Sequence, residues 1–141
     1  MLGCPILIVE DDPGSADVFA PMLTSHGYDV RVAVDAHAAL REMDRRLPAA
    51  LLVDLHLPLV DGVEFIRRIR GGIHAHVPAA LMTGDYLIDE SVVDALRAIG
   101  VRLYFKPLWE EDLVAIMQAL LPAPVEFPAG RGKFLDRPRP H

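Results

Sequence analysis

Along this chain, apolar runs of four to six residues alternate with amphipathic stretches of ten or more, and no other feature narrows the fold so far. A run that short stays apolar throughout when both of its faces are covered, which is the situation of a strand in a parallel sheet flanked by helices. The stretches between the runs place apolar residues three and four apart, the period of a helix with one buried face. Repeating the two units in sequence predicts an α/β fold built around a parallel sheet.

Taken in order, Cys4 to Val9 reads as the first strand and Gly14 to His26 as a helix. Tyr28 to Val32 is a weaker second strand, with Arg31 pointing to an edge position, and Ala36 to Arg46 is a helix by the spacing of Ala39, Leu40, Met43 and Leu47. The third strand is Ala50 to Val53, followed by a helix from Gly62 to Arg70 with Val63, Ile66 and Ile69 on its inner face. The fourth strand, Pro78 to Met82, leads to a helix over Asp89 to Ile99 that Gly100 stops. Val101 to Phe105 is the fifth strand, and Glu110 to Leu121 a last helix closed by Pro122. That makes five βα units, a doubly wound three-layer sandwich. Pro21 falls in the middle of the first helix, where it removes the amide that would bond to Asp17, so a bend is expected there.

The 141 residues suit one domain, read here as residues 1–121. From 122 to 141 the composition changes to five prolines, two glycines and four basic residues, which predicts an extended or disordered tail. A stub of a linker to a further module, or a segment docking through Phe127 and Phe134, is the other reading of this stretch. Fourteen basic against twenty acidic residues leave a net charge of −6, the wrong sign for gripping nucleic acid through its phosphates. The longest apolar stretches fall far short of the roughly 20 residues a membrane-spanning helix needs, and no charged segment followed by an apolar one opens the sequence. A cytoplasmic protein is therefore expected. The single cysteine, Cys4, has no internal disulfide partner, and His74 and His76 lie in a loop with no third metal ligand nearby.

The chemistry sits where the runs end. Ile6 to Val9 leads into Glu10 and Asp11, Ala50 to Val53 into Asp54, Ala79 to Met82 into Thr83, and Val101 to Phe105 into Lys106. In parallel strands all of these meet at one sheet edge, where open α/β folds place their sites. Crowded carboxylates repel one another unless a cation intervenes, and hard oxygen ligands favour Mg²⁺. A carboxylate at the mouth of a dry strand is poised as a nucleophile, able to take a phosphoryl group as a mixed anhydride. Thr83 can donate to a phosphate oxygen, Gly84 leaves room for one to approach, and Lys106 supplies a mobile positive charge.

As a set, these residues resemble a response-regulator receiver domain of two-component signalling, with the chemotaxis-regulator-like fold. The match rests on Glu10 and Asp11, on Asp54 with the following L-H-L-P-L-V-D-G, on Thr83 with Gly84, and on Lys106 with Pro107. The intervals agree as well: 43 residues from Asp11 to Asp54, 29 to Thr83 and 23 to Lys106. The resemblance covers about residues 3 to 121 and implies a flavodoxin-like sheet in the order 2-1-3-4-5.

It further implies that Asp54 is the phosphoacceptor, charged by a phosphohistidine on a sensor histidine kinase or histidine phosphotransfer protein. Asp11 and Asp54 would bind Mg²⁺ directly, Glu10 through water, and the backbone carbonyl of His56 would complete the protein ligands. Lys106 would pair with Asp54 at rest and with a phosphoryl oxygen afterwards, Thr83 would move towards the phosphate, and the Lys106–Pro107 peptide would be cis. Such a domain is not an enzyme in its own right beyond self-catalysed phosphotransfer and slow autodephosphorylation. Its output passes to a downstream protein target, and homodimerisation through the fourth helix, fifth strand and fifth helix belongs to the same expectation.

Two departures stand out. Many members carry an aromatic residue three before the lysine that swings inward on activation; here that place holds Leu103, with Tyr104 one further on. A helix or loop shift alone is then the alternative switch. His56 and Asp85, two after the acceptor and two after the threonine, are expected to face the route of attacking water and so to set the lifetime of the phosphorylated state. Three other readings stay open: a docking module that is never phosphorylated, a receiver fragment of a longer protein, and a Mg²⁺-dependent phosphohydrolase. The last needs a general acid near the nucleophile, and such enzymes often place another Asp two residues on, where this chain has His56 instead.

Overall fold

The computed structural model describes residues 3–121. Five strands and five helices alternate: β1 (Pro5–Val9), α1 (Pro13–Ser25), β2 (Asp29–Ala33), α2 (Ala36–Arg45), β3 (Ala50–Asp54), α3 (Gly62–Arg70), β4 (Ala79–Thr83), α4 (Glu90–Ala98), β5 (Arg102–Phe105) and α5 (Glu110–Leu120). The strands form one parallel sheet in the order β2-β1-β3-β4-β5. The expected fold class and strand order are both present, with element ends shifted by a residue or so. The tail reading concerns residues outside the described ones.

Side-chain alternation along the strands divides the interior into two layers. Leu7 and Val9, Leu51 and Val53, Ala79 and Leu81 face α2, α3 and α4, where Met43, Phe65, Ile66 and Leu96 meet them. Ile6 and Ile8, Ala50 and Leu52, Ala80 and Met82 face α1 and α5, against Phe19, Leu23, Leu113, Ile116 and Met117. Covered on both sides, β3 and β4 are buried along their whole length, whereas the edge strands β2 and β5 are only partly so.

Aspartates at the start of three helices hold the crevice loops in place by accepting otherwise unpaired amides. Asp12 caps α1 at Gly14 and Ser15, Asp35 caps α2 at Ala38 and Asp61 caps α3 at Glu64. At α5, the Trp109 amide donates to the Asp112 carboxylate at 2.8 Å. Helix α1 continues through Pro21 as a single element. Gly62 opens α3 against the end of β3: a Cβ there would lie 2.6 Å from the Asp54 carbonyl oxygen and 2.9 Å from the Leu55 Cα. Only a glycine permits so close an approach behind Asp54.

Candidate functional site

The crevice at the carboxyl edge of the sheet gathers the ends of β1, β3, β4 and β5. Glu10, Asp54 and Thr83 are buried polar residues in an otherwise apolar interior, and Asp11 is exposed beside them. Lys106 spans the pair of buried acids, its Nζ donating to Glu10 Oε1 and to Asp54 Oδ2, each at 2.8 Å. The other Asp54 oxygen, Oδ1, accepts from the His56 amide at 2.8 Å. Thr83 is tied to the turn that follows it, its Oγ1 accepting from the Asp85 amide at 3.0 Å.

Burial sets the electrostatics. Desolvation, with Asp54 alongside, pushes the Glu10 carboxyl up to about 7, against the pull of Lys106. Burial by itself would lower Lys106, but the hydrogen bonds and charges of Asp54 and Glu10 outweigh it and raise the ammonium above its ordinary value. Asp12 is held below the usual carboxylate range by the Ser15 hydroxyl and amide. Its carboxylate is thus committed to the α1 cap and leaves the acid cluster to its neighbours.

One oxygen each from Glu10, Asp11 and Asp54 lie within 4.8 Å of one another. Three hard oxygen donors converging at the sheet edge suit Mg²⁺, which keeps part of its water shell and takes phosphate oxygens as further ligands. The donor set therefore fits the expected ion. The Lys106–Pro107 peptide is cis, as the resemblance implied.

The modulating residues fall into two groups. His56 and Asp85 approach each other across the crevice, Nε2 to Oδ2 at 3.6 Å, linking the loop after β3 to the loop after β4. Leu103 packs into the layer beneath α4, and Tyr104 turns to the opposite face against the α1–α5 layer. Sequence reasoning passed over Tyr86 and Phe105, whose rings stack at a centroid distance of 5.3 Å and an interplanar angle of 19°. Only the pairing of β4 with β5 sets Thr83 opposite Phe105, so the strand register was the missing signal. Leu59, in the loop between Asp54 and α3, was missed too: it is 99% exposed with φ of 69°.

Residues 6–118 match the family model described as the response regulator receiver domain. This chain belongs to that family. The receiver is 33% identical over 141 residues to the transcriptional regulatory protein TrcR of Mycobacterium tuberculosis, a match covering 96% of this chain and 50% of TrcR. It thus spans about half the length of that relative. Among solved structures, it superimposes on the receiver domain of NtrX from Brucella abortus with a TM-score of 0.74 and 28% identity, covering 82% of this chain and 97% of that one. The receiver domain of the sensor histidine kinase PA1611 from Pseudomonas aeruginosa gives a TM-score of 0.73 and 32% identity, over 84% of this chain and 97% of the other. That structure carries a magnesium ion coordinated in its active-site cleft. No described helix of the present receiver is long and apolar enough to cross a membrane.

Proposed function

We propose that this receiver takes a phosphoryl group onto Asp54 from a phosphohistidine of a sensor histidine kinase or phosphotransfer protein. The observation that carries the reading is the convergence of the buried Asp54 carboxylate with Lys106 at 2.8 Å and with the Glu10 and Asp11 oxygens within 4.8 Å. An Asp54 oxygen forms a bond to phosphorus while the P–N bond breaks, and its electron pair leaves with the donor imidazole, which takes up a proton. Glu10, Asp11, Asp54 and the His56 carbonyl would hold Mg²⁺, which when bound offsets negative charge on the carboxylates and on the transferring oxygens.

Lys106 exchanges its Asp54 partner for a phosphoryl oxygen, and Thr83 turns its hydroxyl donor to another. The local change of charge then shifts the loop and helix that follow. The reaction belongs to a phosphoacceptor rather than to an enzyme with a turned-over substrate, and the cytoplasm is where its donor and target would meet it. The altered face reaches a downstream protein, through homodimerisation by α4, β5 and α5 or by direct binding.

The His56 and Asp85 pair bears on the lifetime of the anhydride. His56 takes its place beside Asp54 through its own amide and Asp85 beside Thr83 through its own, so both side chains flank the approach of water to phosphorus. Half-lives of His56→Ala and Asp85→Ala equal to that of the parent would retire that role.

Incubation with acetyl phosphate and Mg²⁺ tests the main reading. The protein is expected to gain one phosphoryl mass, mapped to Asp54 and absent from Asp54→Asn. An unchanged mass, with no response to BeF₃⁻, would leave a docking module as the better account. Steady turnover of small phosphate esters would favour the phosphohydrolase.

A further inference from the structure

The place from which family members send an aromatic side chain inward is occupied here by Leu103, which packs beneath α4. Tyr104 cannot stand in for it, because strand alternation turns it to the other face of the sheet, into the α1–α5 layer. The next residue, Phe105, returns to the Leu103 side and is the register partner of Thr83 across the β4–β5 ladder. Its ring is covered on one side by Tyr86, stacked at 5.3 Å, and Tyr86 also donates its hydroxyl to the backbone carbonyl of Lys106.

These contacts close a ring. The Thr83 hydroxyl accepts from Asp85 N and so shapes the turn that delivers Tyr86. Tyr86 grips Phe105 and the Lys106 carbonyl, and the Lys106 amide donates back to the Thr83 carbonyl at 2.7 Å. Thr83 and Lys106 are the two side chains that reach for phosphoryl oxygens, and they come from different strands. Beyond the ladder itself, among the described residues, Tyr86 is the side chain that binds the loop of one to the strand end of the other.

We propose that Tyr86 is a positioning residue for phosphoryl transfer, coupling Thr83 to Lys106 through its stack on Phe105 and its hydroxyl bond to the Lys106 carbonyl. This rests on the reading of Asp54 as phosphoacceptor. When the Thr83 hydroxyl turns to a phosphoryl oxygen, the turn at Asp85 shifts, and the displacement reaches Tyr86 and then Phe105 at the surface of β5. The movement that other members make with a residue of β5 is made here from the β4–α4 loop. Tyr86 is 65% exposed, so its replacement perturbs the coupling without emptying the core.

The test compares wild type, Tyr86→Phe, Tyr86→Ala and Phe105→Ala. At saturating acetyl phosphate, Tyr86→Ala and Phe105→Ala are expected to lower the rate constant of Asp54 phosphorylation by about tenfold, the scale of a misplacement below 1 Å. Tyr86→Phe, which keeps the stack and loses the hydroxyl, is expected to recover part of that loss. Mg²⁺ affinity stays at the wild-type level in all three, because the acid cluster is untouched.

A second readout uses 3-fluorotyrosine. The chain has three tyrosines, and the fluorine resonance missing from Tyr86→Phe is expected to move when BeF₃⁻ and Mg²⁺ are added to wild type. Wild-type rate constants in Tyr86→Ala and Phe105→Ala, or a Tyr86 resonance that stays in place while the protein binds BeF₃⁻, would overturn the coupling. A wild type that takes up no phosphoryl group at all would overturn the reading beneath it instead.

Discussion

Replacing Gly62 by alanine probes the close contact that sets the peptide behind Asp54. The added methyl would sit 2.6 Å from the Asp54 carbonyl oxygen, 2.7 Å from Leu81 Cδ2 and 2.9 Å from Leu55 Cα. Ordinary carbon contacts lie near 3.5–4.0 Å, so the overlap is about 0.6–1 Å, and two of the three atoms belong to backbone that cannot rotate away. Either α3 withdraws or the Asp54–Leu55 segment does, against the bond from the Gly62 amide to the Leu55 carbonyl at 2.8 Å. Forcing a methyl into a packed site costs about 1–3 kcal/mol. The loss of glycine freedom in the unfolded chain returns about 0.4–1 kcal/mol. The net loss of about 1–2 kcal/mol corresponds to a fall in Tm of roughly 4–8 °C for a domain of this size.

The same displacement reaches Asp54, whose Oδ1 is held by the His56 amide two residues along the chain. Phosphorylation by acetyl phosphate should therefore slow by about tenfold or more. Gly84→Ala is the matched control: a Cβ there meets nothing within 4 Å and the backbone is not left-handed, so its thermal melt should overlay wild type. A Gly62→Ala protein that melts like Gly84→Ala and phosphorylates like wild type would refute the argument.

Lys106→Met leaves the buried carboxyls of Glu10 and Asp54 facing each other without a counter-charge, and a loss of about 3 kcal/mol is expected in urea melts at pH 7. Because Glu10 rises further once Lys106 no longer holds it down, the loss should be larger at pH 9, where neither acid holds a proton, than at pH 5; equal losses at those two pH values would count against the pairing. Because Glu10 is raised to about 7, its contribution to stability without metal is complete below the ordinary carboxylate range and disappears as pH rises through 7. Melts of metal-free wild type against Glu10→Gln from pH 4 to 8 measure that slope, and its absence would place the proton elsewhere. The same proton must leave as the ion binds, so Mg²⁺ affinity should climb by up to about tenfold between pH 6 and pH 8, read by titration calorimetry. Leu59→Gly relieves a left-handed backbone at a side chain that packs on nothing, and should raise stability by about 1 kcal/mol in a thermal melt.

Much of the crevice was legible before any coordinates. Strand ends in a parallel α/β fold converge on one edge, so Glu10, Asp11, Asp54, Thr83 and Lys106 could be brought together from their places after four apolar runs. Asp12 was harder, because a third carboxylate beside two others looks the same in sequence whether it serves a metal or, as here, the cap of α1. Tyr86 was illegible for a different reason. A tyrosine in a polar loop carries no periodicity, and its partner is twenty residues away on another strand.

The sequence by itself determined the alternation of strand and helix, the sheet they form and the acids and lysine at its edge, since period and burial are local properties of the chain. The tertiary structure alone decided which partners those groups take: Lys106 between two buried acids, Thr83 opposite Phe105, Tyr86 across both. Those pairings depend on register and on loop paths, which arise only when strands far apart in the chain are laid side by side.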